Sequence, residues 1–244
     1  MNLTQSVQKY VNSPGSTFKI FRINYSNAMT RCLKNFDISI VGNKTYDFWG
    51  RLDESGKDLM KFLLMLGNND PESVRLMRRI IESIVKKVCD AYGKDCVWVS
   101  LRITLPEKKY EPRWHVDGTF FEKDHRIQSK FVTVLKGDGT LFAVVDGDTR
   151  TKFLDSRKIV PWNYEEVQAQ QNKIIAGAQG VKFLQLANSQ GAIFLVGNDK
   201  MAAIHSEPPF NQKRIFLSIL PGDKSEIEQL TNRWKVPFGE AIIK

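Results

Sequence analysis

The stretch VWVSLRITL, residues 97–105, marks a change in the spacing of apolar residues along the chain. Its aliphatic residues alternate with Trp98, Ser100, Arg102 and Thr104, which is the period of a β-strand with one buried face. Immediately before it, apolar residues recur at helical spacings of three and four, and after it one short apolar segment follows another. The sequence therefore predicts an α+β protein with most of its strands in the second half.

Two helices are predicted just before this strand. Asp53 or Ser55 can cap the first, which should end at Gly67. The second should cover residues 71–92, with Asp70 as its cap and a proline in its first turn. Its apolar residues form one stripe, which predicts burial in a core, at Val74, Met77, Ile81, Ile84, Val85 and Val88.

Further short strands are predicted on both sides of residues 97–105. Two precede the helices, at residues 18–23 and 38–41. Five follow, at residues 131–135, 141–145, 182–186, 192–196 and 214–220. Gly137-Asp138-Gly139 separates the first two of these five and predicts a hairpin turn.

Residues 155–179 form a polar excursion between the predicted strands. It carries a predicted helix that is capped by Asn163 and ended by Gly177. An excursion at the mouth of a barrel can be a lid or a substrate wall, and it can equally be a plain surface helix. The sequence leaves both interpretations open.

The chain has 244 residues, of which 42% are hydrophobic and 26% charged, as in a soluble globular protein with a sizeable core. We expect one compact domain in which residues 1–96 support a catalytic core formed by residues 97–244. The first residues lack an apolar run of signal-peptide length, and no segment is apolar enough to span a membrane. Three cysteines, an odd number without metal-binding spacing, fit a reducing, cytoplasmic compartment.

The formal net charge of +9 favours acidic or phosphate-bearing partners. The basic residues are spread along the chain, however, and neither RNP aromatics nor zinc-finger spacing is present. Nucleic-acid binding is therefore admissible but not favoured.

The candidate chemistry lies at His115-Val116-Asp117 and at His205. On an extended strand, residues two apart point to the same face, so His115 and Asp117 can converge on one ion. His205, from a later strand, would complete two imidazoles and one carboxylate, the set that holds ferrous iron and leaves positions open for substrates. The remaining histidine, His125, is expected to be exposed in a polar loop.

This pattern, with Arg214 nine residues after His205, resembles that of the iron(II)- and 2-oxoglutarate-dependent oxygenase superfamily: H-x-D, a distal histidine, then a basic residue. The resemblance covers residues from about 97 to 221. It implies a double-stranded β-helix, a jelly roll of the cupin kind, with the N-terminal helices packed on it. It also implies that iron(II) binds to His115, Asp117 and His205.

The same resemblance implies that Arg214 holds the distal carboxylate of 2-oxoglutarate, with Lys213 as the substitute candidate. Ser218 would share a strand face with Arg214 and could donate to that carboxylate. Many family members instead have a serine two residues after the arginine, where this chain has Phe216.

The implied activity is a dioxygenase reaction that converts 2-oxoglutarate to succinate and CO2 and hydroxylates or demethylates a second substrate. Retention of Asp117 favours these outcomes over halogenation. The substrate itself is not indicated, and a small molecule and a macromolecule are equally admissible. The nucleic-acid repair demethylases have a second arginine six residues after the first, where this chain has Leu220.

Two other functions remain open at this point. One is a cupin-like metal-binding barrel without 2-oxoglutarate chemistry. The other is a basic module that binds nucleic acid or protein and has no catalytic activity. Trp114, Phe120 and Phe121 could line a substrate pocket or could simply pack, and Tyr110, Arg102 and Lys130 could point into the barrel.

Overall fold

Strands dominate the chain from Cys96 onward, whereas helices and strands are mixed before it. A computed structural model describes residues 3–107, 109–122, 128–158, 161, 163–197 and 200–244. The first half contains α1 (Leu3–Asn12), β1 (Phe18–Arg22), α2 (Asn27–Asn35), β2 (Lys44–Arg51), α3 (Leu59–Leu64) and α4 (Pro71–Tyr92). The second half contains β3 (Cys96–Thr104), β4 (Gln128–Lys136), β5 (Leu141–Val144), α5 (Gly147–Asp155), α6 (Tyr164–Gly177), β6 (Lys182–Gln185), β7 (Gln190–Val196), β8 (His205–Ser206), β9 (Arg214–Gly222), α7 (Lys224–Trp234) and β10 (Glu240–Ile243).

The strands form two antiparallel sheets. The major sheet has seven strands in the order β1-β7-β4-β9-β3-β2-β10. The minor sheet has three strands in the order β6-β5-β8, and an antiparallel bridge from His115 to His205 extends it beyond β8. From β3 to β9 the chain winds between the two sheets, so that β3, β4, β7 and β9 lie in the major sheet and the other strands in the minor one. This winding is that of a double-stranded β-helix, and the predicted fold class is confirmed.

The two faces of β3 explain how the sheet is packed. Val97, Val99, Leu101 and Ile103 join a buried cluster with the apolar stripe of α4. The alternate residues face the other way, toward the minor sheet, and Trp98 packs there with residues of β4 and β7. Helices α1 to α4 therefore cover one face of the major sheet, and its other face forms one wall of the barrel interior.

The long helix agrees with its prediction. The Asp70 carboxylate accepts a hydrogen bond from the amide of Ser73, and Gly93 ends α4 in the left-handed conformation. All six residues of the predicted apolar stripe are buried. The cap and the apolar stripe were sufficient to predict this helix, because each signal is local to the helix.

One prediction from the first half is correct only in part, and another is wrong. The helix predicted from a cap at Asp53 or Ser55 to about Leu66 is confined to α3, and a 3-10 turn, Leu52–Glu54, precedes it. Asp58 adopts a left-handed conformation with φ of 55°, which separates the two. Residues 38–41 do not form a strand; Ile38 is buried, but Val41 is 93% exposed.

The hairpin predicted at residues 137–139 is also wrong. β4 and β5 lie in different sheets, so this turn carries the chain from the major to the minor sheet. Gly137 has a φ of 87°, and a Cβ atom there would lie 2.7 Å from the carbonyl oxygen of Lys213. A Cβ on Gly139 would collide with the carbonyl oxygen of Leu186. Both glycines are required by close approach of other backbone segments rather than by a hairpin.

Residues 1–96 supply β1 and β2 to the major sheet and share its core with later residues. The division at residue 97 into a supporting and a catalytic region stays a prediction. None of the described helices combines the length and apolar character that a membrane-spanning helix needs. Cys32, Cys89 and Cys96 are buried and unpaired, and the compartment stays a prediction.

Candidate metal centre

Three side chains meet at the inner face of the minor sheet: His115, Asp117 and His205. One potential ligand atom from each lies within 4.8 Å of the other two. The Nε2 atoms of His115 and His205 are both 3.6 Å from Oδ1 of Asp117. The structure therefore brings together the three residues that the sequence proposed as metal ligands.

Backbone hydrogen bonds hold the three residues in place. The amide of His115 donates to the carbonyl of His205, and the amide of His205 donates back, both at 2.9 Å. The carbonyl of Asp117 accepts from the amide of Gly197 at 2.8 Å. The ligands are thus fixed by strand pairing and by one contact to the turn after β7.

Each imidazole has a backbone partner that sets its tautomer. Nδ1 of His115 lies 2.7 Å from the carbonyl oxygen of Arg113, and Nδ1 of His205 lies 3.0 Å from that of Ala203. Because a carbonyl oxygen only accepts, each Nδ1 is assigned as the protonated nitrogen. The lone pair of each Nε2 then faces Asp117, as metal ligation requires.

Lys130 supplies the second partner of Asp117. Lys130 is 8% exposed, and its ammonium lies 2.9 Å from Oδ2, leaving Oδ1 toward the imidazoles. Burial alone would raise the pKa of Asp117, but Lys130 and the imidazoles hold it well below its usual range. Burial lowers the pKa of His205 to about 3, with a further contribution from His115. The site therefore presents an ionised carboxylate and a neutral imidazole at neutral pH.

This donor set fits a divalent transition metal. Two imidazole nitrogens and one carboxylate oxygen on one side of a cavity are the facial triad that binds ferrous iron and leaves positions open. The ordered Nδ1 contacts give the orientation that metal-bound histidines normally have. The types of the donor atoms, the tautomers of the two histidines and the convergence of the three side chains all support metal binding by these residues.

Arg214 lies in the same cavity as the triad. This narrow cavity, of about 70 Å³, is lined by His115, Asp117, His205, Arg214 and residues between them. Nε of Arg214 donates to the carbonyl of Asp138 at 2.8 Å, and its guanidinium lies 4.5 Å from the ring centroid of Phe216. Burial lowers the pKa of Arg214 to about 10, so it remains a cation at neutral pH.

The other predicted co-substrate residues lie elsewhere. Lys213 is exposed and precedes the buried Arg214 at the start of β9. Ser218 is buried on the strand face that Arg214 and Phe216 share, and the lining of the cavity includes Phe216 but not Ser218. The binding roles of Arg214, Lys213 and Ser218 stay predictions.

The aromatic residues near the ligands mainly pack. Trp114 is buried and stacks on Phe183 at a centroid distance of 5.2 Å. Phe120 and Phe121 belong to the buried cluster between the sheets. Of the residues expected to point into the barrel, Arg102 and Lys130 line the cavity, whereas Tyr110 donates to the carbonyl of Glu207. His125 lies outside the described residues.

A second, wider cavity of about 500 Å³ opens on the other side of His115 and Asp117. Its far wall belongs to the excursion, which begins with a 3-10 turn at Ser156–Lys158 and continues as α6 with Asn163 as its cap. The excursion thus lines a cavity that reaches two of the three triad residues, and its role as a lid or substrate wall stays a prediction. The sequence did not single out the excursion residues that line this cavity: Arg157, Tyr164, Val167, Gln168 and Gln171. The spacing of these residues in the sequence matches no motif that could have identified them.

Similar solved structures include a prolyl-4-hydroxylase from Pseudomonas putida, with 10% identity and a TM-score of 0.45 over 91% of this chain and 100% of that one. A prolyl hydroxylase from Trichoplax adhaerens, in complex with a hypoxia inducible factor peptide fragment, has 11% identity and a TM-score of 0.41 over 93% of this chain and 92% of that one. A rice dioxygenase for auxin oxidation has 10% identity and a TM-score of 0.41 over 97% of this chain and 92% of that one.

The sequence matches no protein-family model and no curated protein. The three structures are hydroxylases and a dioxygenase, the kind of protein that the sequence pattern resembles. At these identities and TM-scores, the activity of this chain has to be argued from its own site.

Proposed function

We propose that this protein is an iron(II)- and 2-oxoglutarate-dependent oxygenase that hydroxylates or demethylates a substrate and releases succinate and CO2. The observation that carries the proposal is one narrow cavity with the His115, Asp117 and His205 triad and the buried cation of Arg214. A ligand with a metal-chelating end and a distal carboxylate would match both. 2-Oxoglutarate has these two features.

In this proposal, His115, Asp117 and His205 hold the metal, which when bound supplies the activation of dioxygen. Lys130 keeps the Asp117 carboxylate ionised and turned so that Oδ1 faces the imidazoles. Both histidines are oriented before the metal arrives, because their Nδ1 atoms are already hydrogen-bonded.

Arg214 would bind the distal carboxylate of 2-oxoglutarate. Its Nε is occupied by the Asp138 carbonyl, and one terminal nitrogen makes only a long 3.5 Å contact to Thr140 Oγ1. The terminal nitrogens can therefore form the bidentate pair that guanidinium makes with a carboxylate. The surrounding Phe194, Phe216 and Val132 side chains would limit water around this pair.

The test is a spectroscopic titration of the anaerobic iron(II) protein with 2-oxoglutarate. The wild-type protein should develop a weak visible charge-transfer band, and it should release succinate when air is admitted. Arg214→Ala should require about 30- to 1,000-fold more 2-oxoglutarate, since loss of a buried charge partner costs about 2–4 kcal/mol. Lys213→Ala is the matched control, because Lys213 is exposed beside Arg214 and should leave the titration unchanged.

Two results would contradict the proposal. One is the absence of the band in folded, iron-loaded protein. The other is tight metal binding without succinate release at any substrate tested, which would favour the cupin-like barrel. Salt-sensitive nucleic-acid binding that survives loss of both ligand histidines would favour the basic module instead.

A further inference from the structure

The wider cavity beside the triad is lined by an excess of positive charge. Three arginines reach it, from β3, from the segment before His115 and from the excursion: Arg102, Arg113 and Arg157. Among the described residues of its lining, the one carboxylate is Asp117, which is already paired with Lys130 and placed as a metal ligand. The cavity thus contains cations whose charge its own lining does not neutralise.

Arg157 is the clearest of these cations. It is half-buried on the 3-10 turn Ser156–Lys158, and within the described part of the chain it makes no hydrogen bond or ion pair. Burial lowers its pKa, and no acidic group that the structure describes counteracts this shift. A guanidinium that has lost water and gained no partner is costly unless a ligand supplies one.

Arg102 adds a second positive charge, on an exposed residue of β3. It lies at the junction of the narrow and wide cavities, and it has no ion-pair partner among the described residues. Its charge contributes to the lowered pKa of Arg214, so the two cations repel each other. Arg113 differs, because its Nη2 donates to Glu207 at 2.6 Å. Arg102 and Arg157 are therefore the two arginines available to a ligand.

We propose that the primary substrate is a small organic anion whose carboxylate or phosphate is bound by Arg102 and Arg157 in the wider cavity. Guanidinium suits either acid group, because its planar fork matches both. A cavity of about 500 Å³ has the size of small-molecule sites, and α6 closes one side of it. The inference rests on the proposed function in placing this acid group beside the metal centre.

Binding can be measured by calorimetry on the anaerobic iron(II) protein saturated with 2-oxoglutarate, so that the narrow cavity is filled. The probes are inorganic phosphate, benzoate, and benzamide as the uncharged counterpart of benzoate. Wild-type protein should bind phosphate or benzoate saturably at one site and should not bind benzamide measurably. Arg157→Gln and Arg102→Gln should each weaken binding by about tenfold or more, because each removes a charge-assisted contact.

Arg75→Gln is the matched control. Arg75 is exposed on α4, away from the cavity, and its loss changes the net charge by the same amount. It should leave anion binding unchanged. Arg157→Lys should retain part of the affinity, which would separate loss of charge from a folding defect, and thermal melting checks that all variants are folded.

Three results would overturn this inference. They are equal binding by the variants and the wild type, equal binding of benzoate and benzamide, and no saturable binding of either anion. Tighter binding of a ten-nucleotide single strand, with the same dependence on Arg157, would overturn the small-molecule assignment. The measurement does not depend on turnover: if 2-oxoglutarate fails to bind, the same titration with iron alone still tests the arginines.

Discussion

The two sheets of the barrel contribute to the site in different ways. All three candidate metal ligands lie on or beside the short strands of the minor sheet, where β8 has only two residues. The charged residues that surround them, Lys130 and Arg214, come from β4 and β9 of the major sheet. Helices α1 to α4 back the major sheet, and α5 and α6 pack against the minor sheet, in which all four residues of the outer strand β6 are exposed.

This difference indicates that the two sheets have different roles. The seven-stranded sheet can hold buried cations such as Arg214, which is 3% exposed, because the strand that carries it is paired on both sides. The three-stranded sheet holds the metal ligands next to an open cavity. Stability should therefore depend mostly on the major sheet, and metal binding on the minor one.

The largest effect is expected for His205→Ala, which removes a ligand of the minor sheet. Metal binding and succinate release should fall to background, while the melting temperature of the metal-free protein changes little. Metal content after dialysis and thermal melting measure the two quantities. Retention of iron by the variant would show that the triad is not the metal site.

Two phenylalanines provide the matched test of stability. Phe131→Ala, in β4, should lower the free energy of unfolding by about 3–5 kcal/mol, because a fully buried aromatic ring is lost. Phe183→Ala, in β6, should cost about 1 kcal/mol or less, since this side chain is 50% exposed. Denaturant unfolding of both variants gives the comparison, and equal losses would contradict the assignment of stability to the major sheet.

Lys130 joins the two sheets, because it comes from β4 and donates to Asp117. We expect Lys130→Met to lower metal affinity by about 10- to 100-fold, the usual effect of losing a partner of a ligand. Competition with a metal chelator measures it. Tighter metal binding by the variant would show that repulsion between Lys130 and the metal outweighs the orientation of Asp117.

The smallest effect concerns Asp223, which caps α7, a helix on the opposite side of the major sheet from α1 to α4. Burial alone would raise its pKa, but hydrogen bonds from Glu226 and Ser225 and the contact with Lys94 lower it to about 2. The folded pKa lies below the ordinary 3.8, so this stabilisation is present above pH 3.8 and is lost as pH falls toward 2.

Asp223→Asn keeps a good cap but removes the charge. The wild type should melt about 2 °C higher at pH 6, since a half-exposed ion pair contributes little. This difference in melting temperature should disappear as the pH falls below 3.8. A difference that acid leaves unchanged would exclude the Asp223 carboxylate as its source.

Local signals in the sequence predicted the parts of the fold that depend on neighbouring residues. The Asp70 cap and the stripe of α4 are examples, and so is the spacing of His115 and Asp117. The hairpin at residues 137–139 failed because the sheet that receives β5 is decided by pairing with β6 and β8, far along the chain. α1, α2, β2, α5, α7 and β10 were not predicted, although Ser26, Asp146 and Asp223 carry cap signals that could have found three of the helices.

The site shows the same limit. The triad and Arg214 were found because their types and spacing resemble a known pattern, and the structure brings all four to one cavity. Arg157 could not be found in this way. It reaches the wider cavity through the path of the excursion, and a single arginine in a polar segment has no distinguishing pattern.

The contacts of Arg214 have a consequence for selectivity among keto acids. Its guanidinium is already immobilised by the Asp138 carbonyl and the Phe216 ring before any ligand binds. The barrel sets the distance from the metal ligands to the guanidinium. Because the guanidinium cannot move to follow a ligand, this distance selects ligands of one length. Under the proposed function, keto acids one carbon shorter or longer than 2-oxoglutarate should be discriminated by chain length, with little conformational entropy lost by the protein when the correct one binds.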